Sequence, residues 1–365
     1  MDHRDLPVQG DLSRARVVRL NAEMFPISAT ERRLLQRYGV QPVEIEAANP
    51  EQILKHVRDA HAICVVSAKL PAAVIDHLDE CVLISRIGNG TDRIDVARAT
   101  ERGIIVSNVP DFSTQEMADH VMGMILVLTR EIPRMEGHMK SGNFALARTE
   151  SLKLRRMSAL TLGLIGWGAS AIAVTQRAQA CGMKVIATRR DLNKPSPEAT
   201  ALGVSMVSLD ELLESSDVVS LHLPLADGTR RLLDRDRLEQ MKKGAYFINA
   251  SRGDIVDEDA LAELLQSGHL AGAGLDTFGV VEIFGETESP PTHPLIGLDN
   301  VIATPHVSAL SVDSSRDVAT GSVHNLVSVL HGHMPDPEQI VNTGVVPRSP
   351  LKPHDPQLVG EIADG

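Results

Sequence analysis

A glycine-rich turn and a pair of arginines carry the first chemical signal. Gly166-Trp167-Gly168-Ala169-Ser170-Ala171 has the G-x-G-x-x-G/A spacing of a dinucleotide-binding turn, between the apolar run TLGLI and the helical run IAVTQRAQA. In that spacing Gly166 permits a tight turn and Gly168 lets backbone approach a pyrophosphate. Ala171 is small enough for helix to pack on strand. A helix opening at Ala169, Ser170 and Ala171 presents free N–H groups to phosphate. About 20 residues further on, a carboxylate would select the ribose 2′-OH of NAD. The strand KVIAT ends instead in Arg189-Arg190. Two guanidiniums suit a 2′-phosphate in charge and bidentate geometry, so NADP is expected in preference to NAD. Asp191 would serve NAD if the strand register slipped by two residues.

The elements that must position these residues alternate. Continuous apolar runs bounded by turn residues read as buried parallel strands: ARVVRLNA (15–22), HAICVVSA (61–68), VLISRIG (82–88) and GIIVSNVP (103–110). Helical patterns at 51–59 and 71–79 lie between them. A long helix is expected over 114–130, with Ser113 or Thr114 and Glu116 as capping signal and apolar residues on nearly every face, hence buried. Six further strands follow, in TLGLIG (161–166), KVIATR (184–189), DVVSLHLP (217–224), AYFINAS (245–251), AGAGLDTF (271–278) and NVIATPH (300–306). The last of these places His306 at a strand end, where open α/β sheets bind ligands. A helix over about 313–330 would return the chain to the first domain. The expected fold is α/β: two Rossmann- or flavodoxin-like domains with parallel sheets and a cleft between them. A discontinuous substrate domain (13–113 plus 310–340) would enclose a dinucleotide-binding domain (114–309). Six prolines between Pro335 and Pro356 make 341–365 an expected extended tail.

Bulk properties exclude several classes. A net charge of −12 repels phosphate backbones, so nucleic acid is not an expected partner. No apolar run approaches the ~20 residues of a membrane span, and MDHRDLPVQGDLSR has no apolar core of a secretory leader. Cys64, Cys81 and Cys181 match no metal or redox spacing. They are expected as buried small hydrophobes in a reducing, cytoplasmic compartment. No metal is expected. Aromatic residues are only 2% of the chain, which argues against a pocket for bulky aryl substrates.

Seven ordered segments resemble the D-isomer-specific 2-hydroxyacid dehydrogenase family. They are RIGNGTDRID (86–95), GIIVSNVPDFSTQEMADH (103–120), GLIGWG (163–168), SLHLPLADGTRRLL (220–233), FINASRGDIVDEDAL (247–261), GAGLDTF (272–278) and NVIATPHVSA (300–309). The resemblance implies hydride transfer between NAD(P)H and a small 2-oxo or 2-hydroxy acid. Arg252 is implied to hold the substrate carboxylate and polarise the carbonyl, a task suited to a planar, permanently charged fork. His306 is implied as the acid/base, apt because its pKa lies near neutrality. Gly88, Asn89 and Gly90 are implied as the backbone loop at the substrate carboxylate. Pro224, Ala250 and Asp276 are implied at the cofactor, and a homodimer is implied through the helix at 114–130 and the segment after it. His222 would be positional and His120 a satisfied core group.

The chain also departs from that pattern. The family's glutamate five residues after the aspartate falls on Val281, leaving Glu282, Glu286 and Glu288 as candidates to pair with His306, of which Glu282 is preferred. Ala169 replaces an arginine common in the phosphate loop. These departures keep open an alternative from another class, a cofactor-sensing protein like the co-repressors of this family, with little turnover.

Overall fold

Short runs of β-branched and aliphatic residues, buried on both faces, build two all-parallel sheets. The computed structural model describes residues 12–23, 25–47, 49–281 and 290–358. The chain divides into unit 1, Met1–Phe112 with Ser311–Gly365, and unit 2, Ser113–Leu310.

In unit 1, β1 (Val17–Leu20), β2 (Val43–Ile45), β3 (Ala62–Val65), β4 (Leu83–Arg86) and β5 (Ile105–Ser107) lie in the order β2-β1-β3-β4-β5. This is the flavodoxin-like doubly wound order. Strands β1 and β3 are buried at every residue, as a sheet covered by helices on both sides requires. Edge strand β2 is largely exposed and has no counterpart in the sequence reading. The returning helix Val312–Leu330 opens on a Ser311–Ser314 capping box and packs on the helix Ala29–Arg37 and on β4.

The segment expected as an extended tail carries turns and bends over its described residues, 341–358, and belongs to unit 1. Val341 N donates to Val106 O, and the buried Asn342 accepts from Val106 N and donates to Ile104 O. The Arg348 guanidinium donates to the carbonyls of Leu78 and Arg102. Composition foretold none of these fixed partners.

Unit 2 holds β6 (Thr161–Ile165), β7 (Lys184–Thr188), β8 (Ser205–Met206), β9 (Val218–Leu221), β10 (Tyr246–Asn249), β11 (Gly272–Leu275) and β12 (Val301–Ala303). Their order is β12-β11-β10-β9-β6-β7-β8, all parallel. Read from β8, this is the Rossmann order 3-2-1-4-5-6 with a seventh strand added. The two-residue β8 is the strand that the sequence reading lacks. One face of the sheet is covered around Leu212, Leu238, Leu261 and Leu264, the other around Val121, Ile125, Val174 and Ala178.

The helix Thr114–Thr129 departs from the expectation of burial all round. Ser113 is its N-cap but makes no side-chain cap bond. Arg177, on the helix Ala169–Ala180, ties one end of it through Asp119 and Gln115. Its inner face lies on the sheet, while Gln115, Asp119, Gly123, Leu126 and Arg130 form an exposed stripe. Among the described residues no helix is long and apolar enough to cross a membrane. Cys64 and Cys81 are buried, but Cys181, the C-cap of the helix Ala169–Ala180, is exposed, contrary to expectation.

Candidate active site

Gly166, Arg189, His222, Ala250, Asp276 and Thr304 each follow directly on the last residue of a strand of unit 2. Because all seven strands are parallel, these residues gather along the carboxyl edge of one sheet. That edge is where open α/β sheets bind ligands.

The turn after β6 sits where the strand order reverses, between β6 and β9. Gly166 has φ +105, and a Cβ there would run into the His222 carbonyl oxygen. Gly168, the N-cap of the helix Ala169–Ala180, makes no side-chain cap bond, and a Cβ on it would meet only open space. The first N–H groups of that helix have no side-chain cap, and the space beside Gly168 is open, which fits a pyrophosphate. Ala171 is fully buried under the helix. Ala169 is exposed and brings no charge. Ser170 instead places its hydroxyl 3.1 Å from His222 Nδ1, while His222 Nε2 lies 3.0 Å from Ser220 Oγ. Burial lowers the His222 pKa to about 4, so the ring is neutral near pH 7. One ring nitrogen donates, the other accepts, and each has a hydroxyl able to answer.

Arg189 leaves β7 without the two-residue slip that would bring Asp191 into its place. Asp191 is exposed and accepts from Asn193 N. Arg189 is half-buried, and its Nε is buried with no hydrogen-bond partner among the described residues. A guanidinium donor left in that state fits an anionic ligand. Arg190 is exposed.

Beyond β9 and β10 the backbone is held by side chains. Pro224, exposed, has its carbonyl fixed by the Thr229 hydroxyl at 2.7 Å. Ala250 is buried. Asn249 donates to Arg252 O and accepts from Ser251 N, and Ser251 donates to Leu221 O. This knot ties β9 to the turn that carries Arg252, whose side chain is half-buried and donates to Ser251 O.

The end of β12 is the most constrained corner. His306 has φ +57, a left-handed conformation that few non-glycine residues adopt. Asp276, fully buried, over-determines it. Its backbone carbonyl accepts from His306 N at 2.8 Å. Its carboxylate accepts from Thr304 Oγ1 (2.6 Å), Val307 N (2.9 Å) and Ser308 N (2.9 Å). The Asp276 carboxylate thus clamps the loop on both sides of His306. His120, expected as a satisfied core group, is half-buried, and its Nε2 lies 3.0 Å from Thr304 Oγ1.

In unit 1, the 88–90 loop follows β4. Gly88 has φ +137 and its carbonyl accepts from Val109 N. Arg86 folds back over the loop, donating to Gly90 O and to Ile87 O. Asn108 donates to Asn89 O. Glu282, Glu286 and Glu288 lie outside the described residues.

The NAD-binding domain of the D-isomer-specific 2-hydroxyacid dehydrogenases matches residues 122–308. A hydroxypyruvate reductase of Thermotoga maritima is 35% identical over 84% of this chain and 96% of its own length. The chain belongs to the D-isomer-specific 2-hydroxyacid dehydrogenase family. Members of this family transfer hydride between NAD(P) and small 2-oxo or 2-hydroxy acids, and the chain is an oxidoreductase of that class. A D-3-phosphoglycerate dehydrogenase of Methanocaldococcus jannaschii is 34% identical over 92% of this chain, which spans 61% of that enzyme's length. Among solved structures, the NADPH-dependent glyoxylate/hydroxypyruvate reductase of Sinorhizobium meliloti, in complex with NADP and malonate, superposes with a TM-score of 0.74. It is 28% identical over 94% of this chain and 99% of that one.

For this dehydrogenase the motifs located the strand-end residues but not those that hold them. Thr304 and Ser220 lie inside quoted motifs, yet nothing in their spacing marks their partners. Glu258 is a further case. Buried at the start of the helix Glu258–Gln266, it accepts from Gly279 N and Val280 N and so anchors the chain leaving Asp276. Burial raises its pKa.

Proposed function

We propose that this dehydrogenase reduces a small 2-oxo acid such as glyoxylate or hydroxypyruvate, with NADPH preferred to NADH. The observation that carries the reading is the single sheet edge on which a phosphate turn, an arginine pair, Arg252 and His306 all stand. Bound NADPH would supply the hydride. Gly166, Gly168, Ala169, Ser170 and Ala171 would hold its pyrophosphate, Arg189 and Arg190 its 2′-phosphate, and Pro224 and Ala250 would line its path. Asp276 acts from beneath, through the loop it clamps. Arg252 would bind the substrate carboxylate by its two-pronged fork and polarise the C2 carbonyl. The backbone of Gly88, Asn89 and Gly90 is assigned to the same carboxylate. His306 gives its ring proton to the carbonyl oxygen as C2 is reduced, and Glu282 is assigned to keep that ring protonated.

NADPH oxidation against a panel of 2-oxo acids tests this reading. Glyoxylate or hydroxypyruvate should give the highest kcat/KM, and Arg252→Ala and His306→Gln should each abolish most of it. No turnover with any of the panel would instead favour a cofactor-sensing protein. Arg189→Ala with Arg190→Ala should weaken NADPH binding roughly tenfold or more and leave NADH little changed, since a charge-assisted bond is worth about 1.5–3 kcal/mol. Equal binding of both cofactors by the unmodified protein would defeat the cofactor assignment.

A homodimer and a cytoplasmic site of action complete the proposal. Leu126, Ile132, Met139, Phe144, Leu146 and Leu152 are exposed along the helices from Thr114 to Ser151 and just beyond. Such a concentration of apolar surface suits burial against a second copy. Light scattering at micromolar concentration should give about twice the chain mass of 39.4 kDa. Free Cys64, Cys81 and Cys181 suit a reducing compartment.

A further inference from the structure

The carboxylate under His306 has a back support from a helix far away in sequence. The Thr304 hydroxyl has one proton, and the 2.6 Å bond to Asp276 Oδ1 uses it. The hydroxyl oxygen therefore accepts from His120 Nε2–H at 3.0 Å. The same ring nitrogen stands 3.8 Å from Asp276 Oδ1. A directed line runs from His120 through Thr304 and ends on the Asp276 carboxylate, which also accepts from the N–H groups of Val307 and Ser308. A hydroxyl without a fixed donor can turn to another acceptor, and a buried carboxylate that loses its shortest bond is free to change rotamer. His306 stays at φ +57 only while its surroundings over-determine that backbone.

We propose that His120 is a positioning residue for the proton donor: through Thr304 it fixes the rotamer of Asp276, and so the loop conformation that presents His306. The catalytic consequence rests on the assignment of His306 above; the hold on the loop does not. His120 lies on the helix Thr114–Thr129, 184 residues from Thr304.

The test uses the full chain with NADPH and the best 2-oxo acid of the panel. His120→Leu should lower kcat about tenfold, with both KM values within about twofold, as expected when a hydrogen-bonded line is cut without disturbing the binding groups. His120→Gln, which keeps an N–H donor near the same place, should recover most of the rate. Thr304→Val should match His120→Leu, and the double variant should be no slower than either, because both cut the same line. Without substrate or cofactor, the amide NMR signals of Val307 and Ser308 should shift in His120→Leu and return toward their original positions in His120→Gln. An unchanged kcat in His120→Leu, additive losses in the double variant, or unmoved Val307 and Ser308 amides would overturn the proposal. His306→Gln retaining full rate would overturn the acid/base assignment instead, and the NMR arm would still decide whether His120 holds the loop.

Discussion

His222 and His306 stand at the carboxyl ends of two strands in one sheet, and their surroundings treat them in opposite ways. His222 follows β9 directly, is lowered by burial to a pKa of about 4, and has a serine hydroxyl at each ring nitrogen. Its charge state is fixed near neutral pH. His306 stands three residues beyond β12 with its backbone in the left-handed region, and the polar support reaches the chain on either side of it. The first arrangement locks a proton; the second locks a backbone. A residue that hands a proton to substrate needs its position fixed, and of the two histidines only His306 has its backbone held in that way.

The largest effect should come from breaking the support of His306. Asp276→Ala leaves the Thr304 hydroxyl and the N–H groups of Val307 and Ser308 without their acceptor. Each buried donor left unsatisfied costs about 1–3 kcal/mol, so the loss of stability in urea unfolding should be about 3 kcal/mol or more. Reduction of the best 2-oxo acid should fall at least about a hundredfold, since misplacing a catalytic group is costly even when binding survives. A variant as stable and as fast as the unmodified protein would mean that the corner is held by something other than this carboxylate.

A smaller effect should follow from changing the proton of His306 without moving its backbone. A carboxylate within about 4–6 Å raises a histidine pKa, so Glu282→Gln should move the high-pH decline of reduction toward lower pH and slow the reaction at neutral pH. Glu286→Gln and Glu288→Gln are controls, because these two are the other candidates to pair with His306. A pH–rate profile of Glu282→Gln that overlays the unmodified one would reject Glu282 as partner. Three overlaid profiles would leave His306 without a carboxylate pair and strengthen the sensing alternative.

Local patterns are legible in the amino-acid sequence, and partnerships between residues far apart in the chain are not. The glycine turn after β6 was legible because its glycines, strand and helix are contiguous, and the buried central strands because both faces are apolar. Edge strands β2 and β8, three and two residues long and mostly exposed, have no such pattern to read. The role of His120 was illegible because Thr304 is 184 residues away, and that of Asn342 because Val106 is 236 away. Composition likewise told nothing of the Arg348 bonds that seat the C-terminal segment. Motifs named Arg252, Asp276 and His306; only packing explains why the backbone at His306 takes a conformation it would otherwise avoid.

The smallest effect tests the locked proton of His222. Its folded pKa, about 4, lies below the ordinary histidine value of 6.5. Between those limits an unfolded chain binds a proton at this residue and the folded chain does not. Stability must therefore fall as pH falls through that window, with a slope contribution of up to about 1.36 kcal/mol per pH unit. His222→Asn keeps a polar amide near Ser170 but removes the titrating group. At pH 7 the variant should be less stable, because a buried ring and its hydroxyl contacts are lost. At pH 4.5 the unmodified protein carries the unfavourable proton linkage and the variant does not, so the gap between them should narrow. Urea midpoints measured at both pH values read that difference directly, and each other histidine contributes equally to both proteins. A gap of the same size at pH 4.5 and pH 7 would show that His222 titrates alike in the folded and unfolded chain. The contrast with His306 would then have to rest on backbone geometry alone.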